Sequence, residues 1–368
     1  MTRQIIIFGA TGYTGRHTAQ ALVEKGIRPI LAGRNKTKLK ELAGQLGGLD
    51  ITTADVADPQ SVEAIVNRDD ILISTVGPFT VYGDAAVRAA TVKGAHYIDS
   101  TGEPGFIDHV FTTYGPRAKE QGIALITACG YDYVPGNCAA AMALDAAGPE
   151  AVRVDTGYYI IGKNALDMSQ GTLASVCYSS LEPGKTFRGG RLVTCYGGEK
   201  VRTFSTNGQK RPGILLPTTE CFSLPNVYPR LQEVNVYLGW FGNLSYLLNA
   251  LSKVNIVMLK LPFYLSLSKK LIALATASKG IGPDETLRSQ TGSHIVAEAF
   301  DTKGTLLART DLKGANGYDF TFRILAWAAE QIMNDDWEQA KGAVGPVEAF
   351  GLDRLKEGVA GAGLSPQE

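Results

Sequence analysis

The chain has 368 residues, and because one domain usually holds roughly 100 to 200 residues, this length predicts two domains. Its 36 Lys and Arg residues balance 36 Asp and Glu residues, so no overall field favours binding to nucleic acid. A hydrophobic content of 45% excludes a mainly disordered chain, and five cysteines without a CxxC pair exclude a disulfide framework and a zinc ribbon.

Residues 1–149 alternate short apolar, β-branched runs with helical stretches, as parallel βαβ units do. A first helix, Thr14–Lys25, is predicted to end before Gly26, and Asp58 is predicted to cap a helix that begins at Pro59. The predicted strands are Gln4–Phe8, Pro29–Ala32, Leu49–Ala54, Ile71–Val76, His96–Ser100 and Ile123–Ala128. We therefore predict an α/β fold with an N-terminal Rossmann domain, built on a doubly wound parallel sheet.

Residues 150–334 have a different pattern, in which segments such as VRVDTGYYII alternate with a period of two. This alternation is typical of antiparallel strands. A hairpin is predicted around Asp301–Gly304 and a helix over Tyr318–Met333. We predict a second α+β domain on a mostly antiparallel sheet, which shapes the substrate cleft and forms a homodimer. Residues 335–368 are expected to pack back on the Rossmann domain.

An apolar segment, residues 236–277, is predicted to be helical. The run from Val234 to Ser252 has no charge for 19 positions, but its Asn and Ser residues argue against a helix that crosses a membrane. Apolar residues from Trp240 to Val254 instead recur at helical spacing. Three interpretations remain open: a helix packed on the protein or at a dimer contact, a lid over a lipid-like substrate, and an anchor at a membrane surface.

The strongest local motif is GATGYTG at residues 9–15, directly after the first predicted strand and before the first predicted helix. Gly9 permits a tight turn, Gly12 lets a pyrophosphate approach the backbone, and Gly15 lets the helix pack close to the sheet. In this context the motif predicts a dinucleotide site rather than a bare structural turn. The turn residues assigned to the cofactor are Gly9, Thr11, Gly12, Tyr13, Thr14 and Gly15.

The second predicted strand is followed by basic residues, where NAD-binding proteins usually place an acidic residue for the ribose hydroxyls. Arg34 can pair in a forked arrangement with a 2′-phosphate, beside Asn35 and Lys38. We therefore predict NADP(H) rather than NAD(H). The alternative is that Arg34 is only a solvated surface charge.

Two further segments are assigned to the cofactor by position, because ligands of open α/β sheets bind beyond the carboxyl ends of the strands. Asp55 and Val56 follow the third predicted strand and are expected at the adenine edge. Val76, Gly77 and Pro78 follow the fourth and are expected to border the nicotinamide. Either segment can instead be a plain loop.

The chain resembles the saccharopine dehydrogenase-like reductases, and within them the trans-acting enoyl reductase group. The motifs that carry the resemblance are GATGYTG at 9–15, AGRN at 32–35, VGPF at 76–79 with a following Gly83, YIDSTGE at 97–103, GYDYVPGN at 130–137, QGTLAS at 170–175 and the VAEAFDTKG hairpin. The resemblance implies a Rossmann NADP-binding fold and reduction of an enoyl C=C bond. Where that family shows a Gly-Phe-Asp-Ser-x-Pro-Ser-Asp pattern, this chain has Tyr131, Tyr133, Gly136 and Asn137.

Catalytic candidates come from YIDSTGE and GYDYVPGN, which follow predicted strands on the cofactor edge. A Tyr hydroxyl can donate to a developing oxyanion, and a carboxyl with a raised pKa can act as an acid. We select Tyr131, Glu103 and Asp132. The alternative for Asp99 and Asp132 is that they cap a helix or tie a loop, and the alternative for Tyr133 is packing.

A short-chain dehydrogenase pair is not expected, although Tyr159 and Lys163 have YxxxK spacing. They lie in a predicted strand, which separates them by roughly 13 Å against about 6 Å on a helix. No metal is predicted, because the four His residues lack ligand spacing.

The sequence predicts a cytoplasmic NADPH-dependent reductase that transfers hydride to an enoyl C=C or a C=N bond of an apolar, polyketide- or lipid-like intermediate. The expected partners are this small-molecule substrate and a second copy of the chain, with peripheral membrane contact through residues 236–277 left open. The alternatives are a saccharopine-type imine reductase and an NADP-binding sensor without turnover.

Overall fold

The described residues form two β-sheets joined by helices. The computed structural model describes residues 3–162, 177, 179–276, 282–334, 337 and 340–367. Lys163 and the QGTLAS motif at 170–175 lie outside these ranges. The strands are β1 Ile5–Phe8, β2 Ile30–Gly33, β3 Ile51–Thr53, β4 Ile71–Ser74, β5 His96–Asp99, β6 Ala124–Ile126, β7 Arg153–Gly162, β8 Gly184–Arg188, β9 Arg191–Cys195, β10 Val201–Thr206, β11 Gln209–Leu216, β12 Glu233–Leu238, β13 Thr291–Phe300, β14 Leu306–Gly314, β15 Gly342–Ala343 and β16 Leu364–Pro366.

The α-helices alternate with the strands in the first half of the chain and are interspersed with hairpins in the second. They are α1 Tyr13–Glu24, α2 Lys36–Gln45, α3 Pro59–Ala64, α4 Phe79–Tyr82, α5 Asp84–Lys93, α6 Pro104–His109, α7 Gly115–Gln121, α8 Val134–Ala147, α9 Glu220–Val227, α10 Leu244–Met258, α11 Tyr264–Thr276, α12 Glu285–Ser289, α13 Gly317–Met333, α14 Pro346–Phe350 and α15 Leu352–Gly361.

The first sheet is parallel, with the order β15-β6-β5-β4-β1-β2-β3. In its centre Ile6 lies between Ile30 and Leu72, and every residue of β1 and β4 is buried. Apolar runs without alternation form these strands because helices cover both faces. The doubly wound parallel sheet expected from the sequence is confirmed, and β15 adds a strand that was not predicted.

The second sheet has the path β10-β11-β12-β7-β13-β14-β16, with β8 and β9 attached beside β12. Its pairs are antiparallel except for β7 with β12, so the mostly antiparallel sheet is confirmed. The predicted hairpin joins β13 to β14, where Asp301 Oδ1 accepts from the amides of Lys303 and Thr305. Helix α8 packs on this sheet and buries most of its length.

The apolar segment 236–277 is not helical throughout, and its start needs correction. Residues 236–238 belong to β12, because Val236 pairs with Leu216 of β11 and Thr156 of β7. Helix α10 follows, and Pro262 lies between its end and the start of α11. Among the described residues, none of the helices combines the length and hydropathy that crossing a membrane requires.

The C-terminal segment reaches both sheets. Within it, β15 pairs with β6 of the first sheet, and β16 pairs with β14 of the second. Helix α13, which precedes this segment, packs against α1 of the first half.

Candidate active site

The glycine turn after β1 leaves the start of α1 open. Gly9 has φ +88°, and a Cβ on Gly15 would lie 2.4 Å from the Gly9 carbonyl oxygen, so both positions require glycine. Gly12 is the N-cap of α1, with no side-chain cap, and no acidic side chain lies in the first turn. Since Thr11 and Gly12 are exposed, the backbone amides of the first turn of α1 and the positive end of the helix dipole fit a phosphate group.

The Tyr13 side chain contacts the C-terminal half of the chain. Its hydroxyl donates to the Pro283 carbonyl at 2.5 Å and accepts from Arg288 Nη1 at 3.1 Å, while its ring packs edge-on against Tyr318 and Phe322. The side chain is therefore buried between α1 and the C-terminal half and does not face the turn. Sequence spacing could not foresee this because these partners lie 270 or more residues away.

Three predicted cofactor residues follow β2. The Asn35 side chain caps α2 by accepting from the Lys38 amide at 3.0 Å. Both Lys38 and Arg34 are exposed, and the Arg34 guanidinium forms no ion pair with any described residue. Arg34 thus stands beside the glycine turn, because β2 pairs with β1.

The loops after β3 and β4 border the same edge. Asp55 Oδ1 accepts from the Ala57 amide at 3.0 Å, so this carboxylate shapes its own turn, with Val56 half-buried beside it. Val76 packs against Gly9, where an added Cβ would lie 2.8 Å from Val76 Cγ2. Gly77 remains exposed, and half-buried Pro78 caps α4.

Glu103 holds the loop after β4. Its Oε1 accepts from the Phe79 amide at 2.8 Å, and its Oε2 accepts from the amide and hydroxyl of Thr80 at 2.9 and 2.6 Å. The side chain is 1% exposed. Because three donors surround the carboxylate, the contacts favour a positioning role for Glu103 over proton donation.

Asp99 ties the ends of β5 and β6. Its Oδ1 accepts from the amides of Thr101 and Ala128, and its Oδ2 accepts from the Thr127 hydroxyl. Burial raises the pKa of Asp99 to about 6, and these bonds oppose the rise. The loop-tying alternative thus fits Asp99.

Asp132 follows β6 at the same edge of the first sheet, and its carboxylate oxygens can still accept hydrogen bonds. It is half-buried, and within the described ranges no hydrogen-bond donor reaches its carboxylate. Its Oδ2 faces Gly102, where an added Cβ would lie 3.2 Å away. Burial raises the pKa of Asp132 to about 7, so near neutral pH this carboxyl can hold and release a proton.

The two neighbouring Tyr residues differ in their hydroxyl contacts. The Tyr133 hydroxyl donates to the Gly102 carbonyl at 3.1 Å, and this contact fits a packing role for Tyr133. The Tyr131 hydroxyl is buried without a well-formed hydrogen bond to any described residue, and burial raises its pKa. Its ring packs edge-on against Tyr158 and Phe320, so Tyr131 forms an aromatic wall beside Asp132.

Glu220 was not foreseen by sequence reasoning. It is fully buried at the start of α9, and its Oε1 accepts from the Tyr158 hydroxyl at 3.0 Å. Burial raises the pKa of Glu220 to about 7, and the nearby charge of Asp132 acts in the same direction. No sequence signal marks Glu220, because it meets Asp132 only through the pairing of distant elements.

Comparison with known proteins gives the same assignment for the N-terminal region. A family model described as NAD(P)H-binding matches residues 9–104. The whole chain has the fold of saccharopine dehydrogenase from Saccharomyces cerevisiae, with a TM-score of 0.59 and 12% identity over 99% of both chains.

Curated relatives match about a third of the chain. They include a lipid droplet localized protein of Caenorhabditis elegans (34% identity; 36% of this chain, 34% of the relative), a trans-acting enoyl reductase of Mycobacterium leprae (36%; 36% and 33%) and a saccharopine dehydrogenase-like oxidoreductase of Arabidopsis thaliana (33%; 36% and 32%). The matched part therefore spans about a third of the length of these relatives.

About a third of the chain is thus similar to proteins named saccharopine dehydrogenase-like oxidoreductase and trans-acting enoyl reductase, and the whole chain has the saccharopine dehydrogenase fold. Its departure from the family pattern at Gly136 has a local cause. A Cβ at Gly136 would lie 2.0 Å from the Tyr158 hydroxyl and 2.6 Å from Glu220 Oε1. Glycine at this position makes room for the Tyr158–Glu220 pair, and Asn137 bonds Thr219 beside it at 3.1 Å.

Proposed function

We propose that this protein is an NADP(H)-dependent reductase that transfers hydride to an enoyl C=C bond or a C=N bond of an apolar substrate. One observation carries the proposal: the uncapped amides at the start of α1 lie beside the exposed Arg34, on the sheet edge that also carries the half-buried Asp132. The groups that we assign to phosphate binding, cofactor choice and proton supply therefore lie at the carboxyl ends of the strands of one parallel sheet.

Arg34 supports NADP(H) over NAD(H). After Gly33 the chain continues Arg34, Asn35, Lys36, so no carboxylate is offered to ribose hydroxyls at this position. A free guanidinium pairs in a forked arrangement with a phosphate group.

When bound, NADPH supplies the hydride. The substrate is left with negative charge, which a protein group must neutralise by a proton or a hydrogen bond. Asp132 suits this role because its carboxyl has free acceptor sites and a raised pKa. Tyr131 provides a hydroxyl that stays protonated at neutral pH, and Glu103 positions the loop after β4.

Two observations support an apolar enoyl substrate. The M. leprae relative carries the name trans-acting enoyl reductase. The rings of Tyr131 and Tyr133, which flank Asp132 in sequence, both pack edge-on against Tyr158, whereas α10 turns its apolar side chains away from the body of the protein. The lid interpretation of α10 is therefore not part of the proposal.

The test measures NADPH consumption with a panel of enoyl thioesters, enones and cyclic imines. We expect consumption with one substrate class, and a loss of about 100-fold or more in kcat for Asp132→Asn, with NADPH affinity unchanged. Since the acid form is required, the wild-type rate should fall as pH rises through about 7, and this step should be missing in Asp132→Asn.

Asp50→Asn is the matched control, because Asp50 is exposed and precedes β3, at the opposite end of the strand from the cofactor edge. It should behave as wild type. If NADPH binds but no member of the panel raises its consumption, the reductase proposal is wrong and a non-catalytic sensor is favoured.

A further inference from the structure

Helix α10 is attached to the protein through its polar side. Three of its side chains, spaced three residues apart, donate hydrogen bonds to backbone carbonyls of the body. The bonds run from Asn249 Nδ2 to Gly198 at 2.5 Å, from Ser252 Oγ to Gly197 at 2.6 Å and from Asn255 Nδ2 to Ser180 at 2.6 Å. Spacing by three residues keeps all three groups on one side of the helix.

The apolar side of the helix consequently points outward. Leu247, Leu251, Val254 and Val257 are each more than half exposed, which reverses the usual orientation of a surface helix. The exposed apolar surface continues through Phe263, which is 85% exposed, and along α11 to Leu274, which is 74% exposed. We call the exposed apolar side chains of α10 and α11 and of the turn between them the outer face. A continuous surface of this kind marks an interaction site.

The charged residues within the segment that carries the outer face have one sign. Residues 234–283 contain no Asp or Glu, whereas Lys253, Lys260 and Lys270 are exposed. Lys269 is paired with Glu182 at 2.7 Å. The free charge at the rim is therefore positive.

We propose that the outer face docks on an anionic phospholipid surface and lies in the plane of its headgroups. Apolar side chains flanked by lysines are what such an interface binds. At 15 residues α10 is roughly 22 Å long, less than the roughly 30 Å hydrocarbon core of a bilayer, so the helix rests on the membrane rather than crossing it.

A second copy of the chain fits the outer face less well. A twofold contact brings the same surface of both copies together, so lysines would meet lysines with no carboxylate from this segment to pair with them. An anionic headgroup layer supplies the missing negative charge.

The experiment is co-sedimentation of the full chain with phosphatidylcholine vesicles, with or without about a third phosphatidylserine. We expect binding that is about tenfold stronger or more on the anionic vesicles and that weakens with added salt. The double variant Leu251→Asn/Val257→Asn should lose binding about tenfold or more, and Lys253→Glu/Lys260→Glu should lose most of the preference for phosphatidylserine.

Leu306→Asn is the matched control, because Leu306 is an exposed apolar residue on β14, outside this surface. It should bind vesicles as wild type does. Thermal melting of each variant checks folding, since the replaced side chains are exposed. No vesicle binding by the wild-type protein would overturn the proposal, as would dimerisation that Leu251→Asn/Val257→Asn abolishes while vesicle binding is unchanged.

Discussion

We propose that the choice between the two nicotinamide cofactors depends on Arg34. Replacing it by Ala removes a charged hydrogen-bonding partner of the 2′-phosphate, which contributes about 1.5 to 3 kcal/mol. We expect Arg34→Ala to weaken NADPH binding roughly 10- to 150-fold and to leave NADH binding nearly unchanged. Calorimetric titration with each nucleotide measures both affinities.

The control for Arg34 is Lys40→Ala, which removes an exposed cation further along α2. It should leave the ratio of the two affinities as it is in the wild type. An equal loss for NADPH and NADH in Arg34→Ala would show that the guanidinium is a general surface charge.

Glu103→Gln should destabilise the loop after β4. A Gln side chain places an NH₂ group opposite one of the amides that now donate to the carboxylate, so two donors face each other. We expect the free energy of unfolding, measured in urea, to fall by about 1 to 3 kcal/mol. Thr80→Val removes only the hydroxyl donor and should lower the free energy of unfolding by less. A larger decrease in Thr80→Val than in Glu103→Gln would contradict this role of the Glu103 carboxylate.

Residue roles were the part least accessible from sequence. The motifs located Glu103, Asp132 and Tyr131 at the correct sheet edge, because parallel strands end together. The sequence does not show which of these carboxylates already accepts hydrogen bonds, because donors such as Thr80 reach Glu103 only in the folded loop. The burial of Tyr13 has the same origin, since Pro283 is brought to it by the second half of the chain.

At the scale of elements, long apolar runs were predicted well and short or exceptional ones were not. The strands β1 to β6 follow from apolar segments bounded by turn residues, and Gly26 ends the first helix with φ +77° as expected. Strand β15 has two residues and no pattern to detect. Residues 236–238 continue the apolar run of α10 in sequence, and only their pairing with β7 and β11 makes them a strand.

The orientation of α10 also escaped prediction, because periodicity identifies an apolar side but not the direction in which it points. Hydrophobic burial normally turns that side inward. Here hydrogen bonds from Asn249, Ser252 and Asn255 to backbone carbonyls hold it outward.

For the molecule as a whole, buried carboxyls make stability depend on pH. The folded-state pKa of Glu220, about 7, lies above its ordinary value of 4.5, so between these values the folded protein binds more protons than the unfolded one. The free energy of unfolding should therefore decrease as pH rises from about 4.5 to 7. Asp99 and Asp132 act in the same direction.

Glu220→Gln isolates one of these contributions. The variant should melt near the wild-type temperature at pH 5 and be more stable by about 2 kcal/mol at pH 8, because it has no charge to bury. Melting curves across this range measure the difference in slope. The exposed Glu41→Gln should keep the wild-type slope, and a Glu220→Gln slope equal to wild type would contradict the buried ionisation.

The last strands have a consequence for the order of biosynthesis. Both β-sheets gain an outer strand from residues 342–366, one through β15 and the other through β16. A nascent chain that still lacks this stretch exposes the open edge of β6 and that of β14, where foreign strands can attach. The first sheet is complete only after translation has passed position 343, and the second only after position 366. The dinucleotide-binding half, although most of it is made first, therefore depends on residues made after β13 and β14 of the other half.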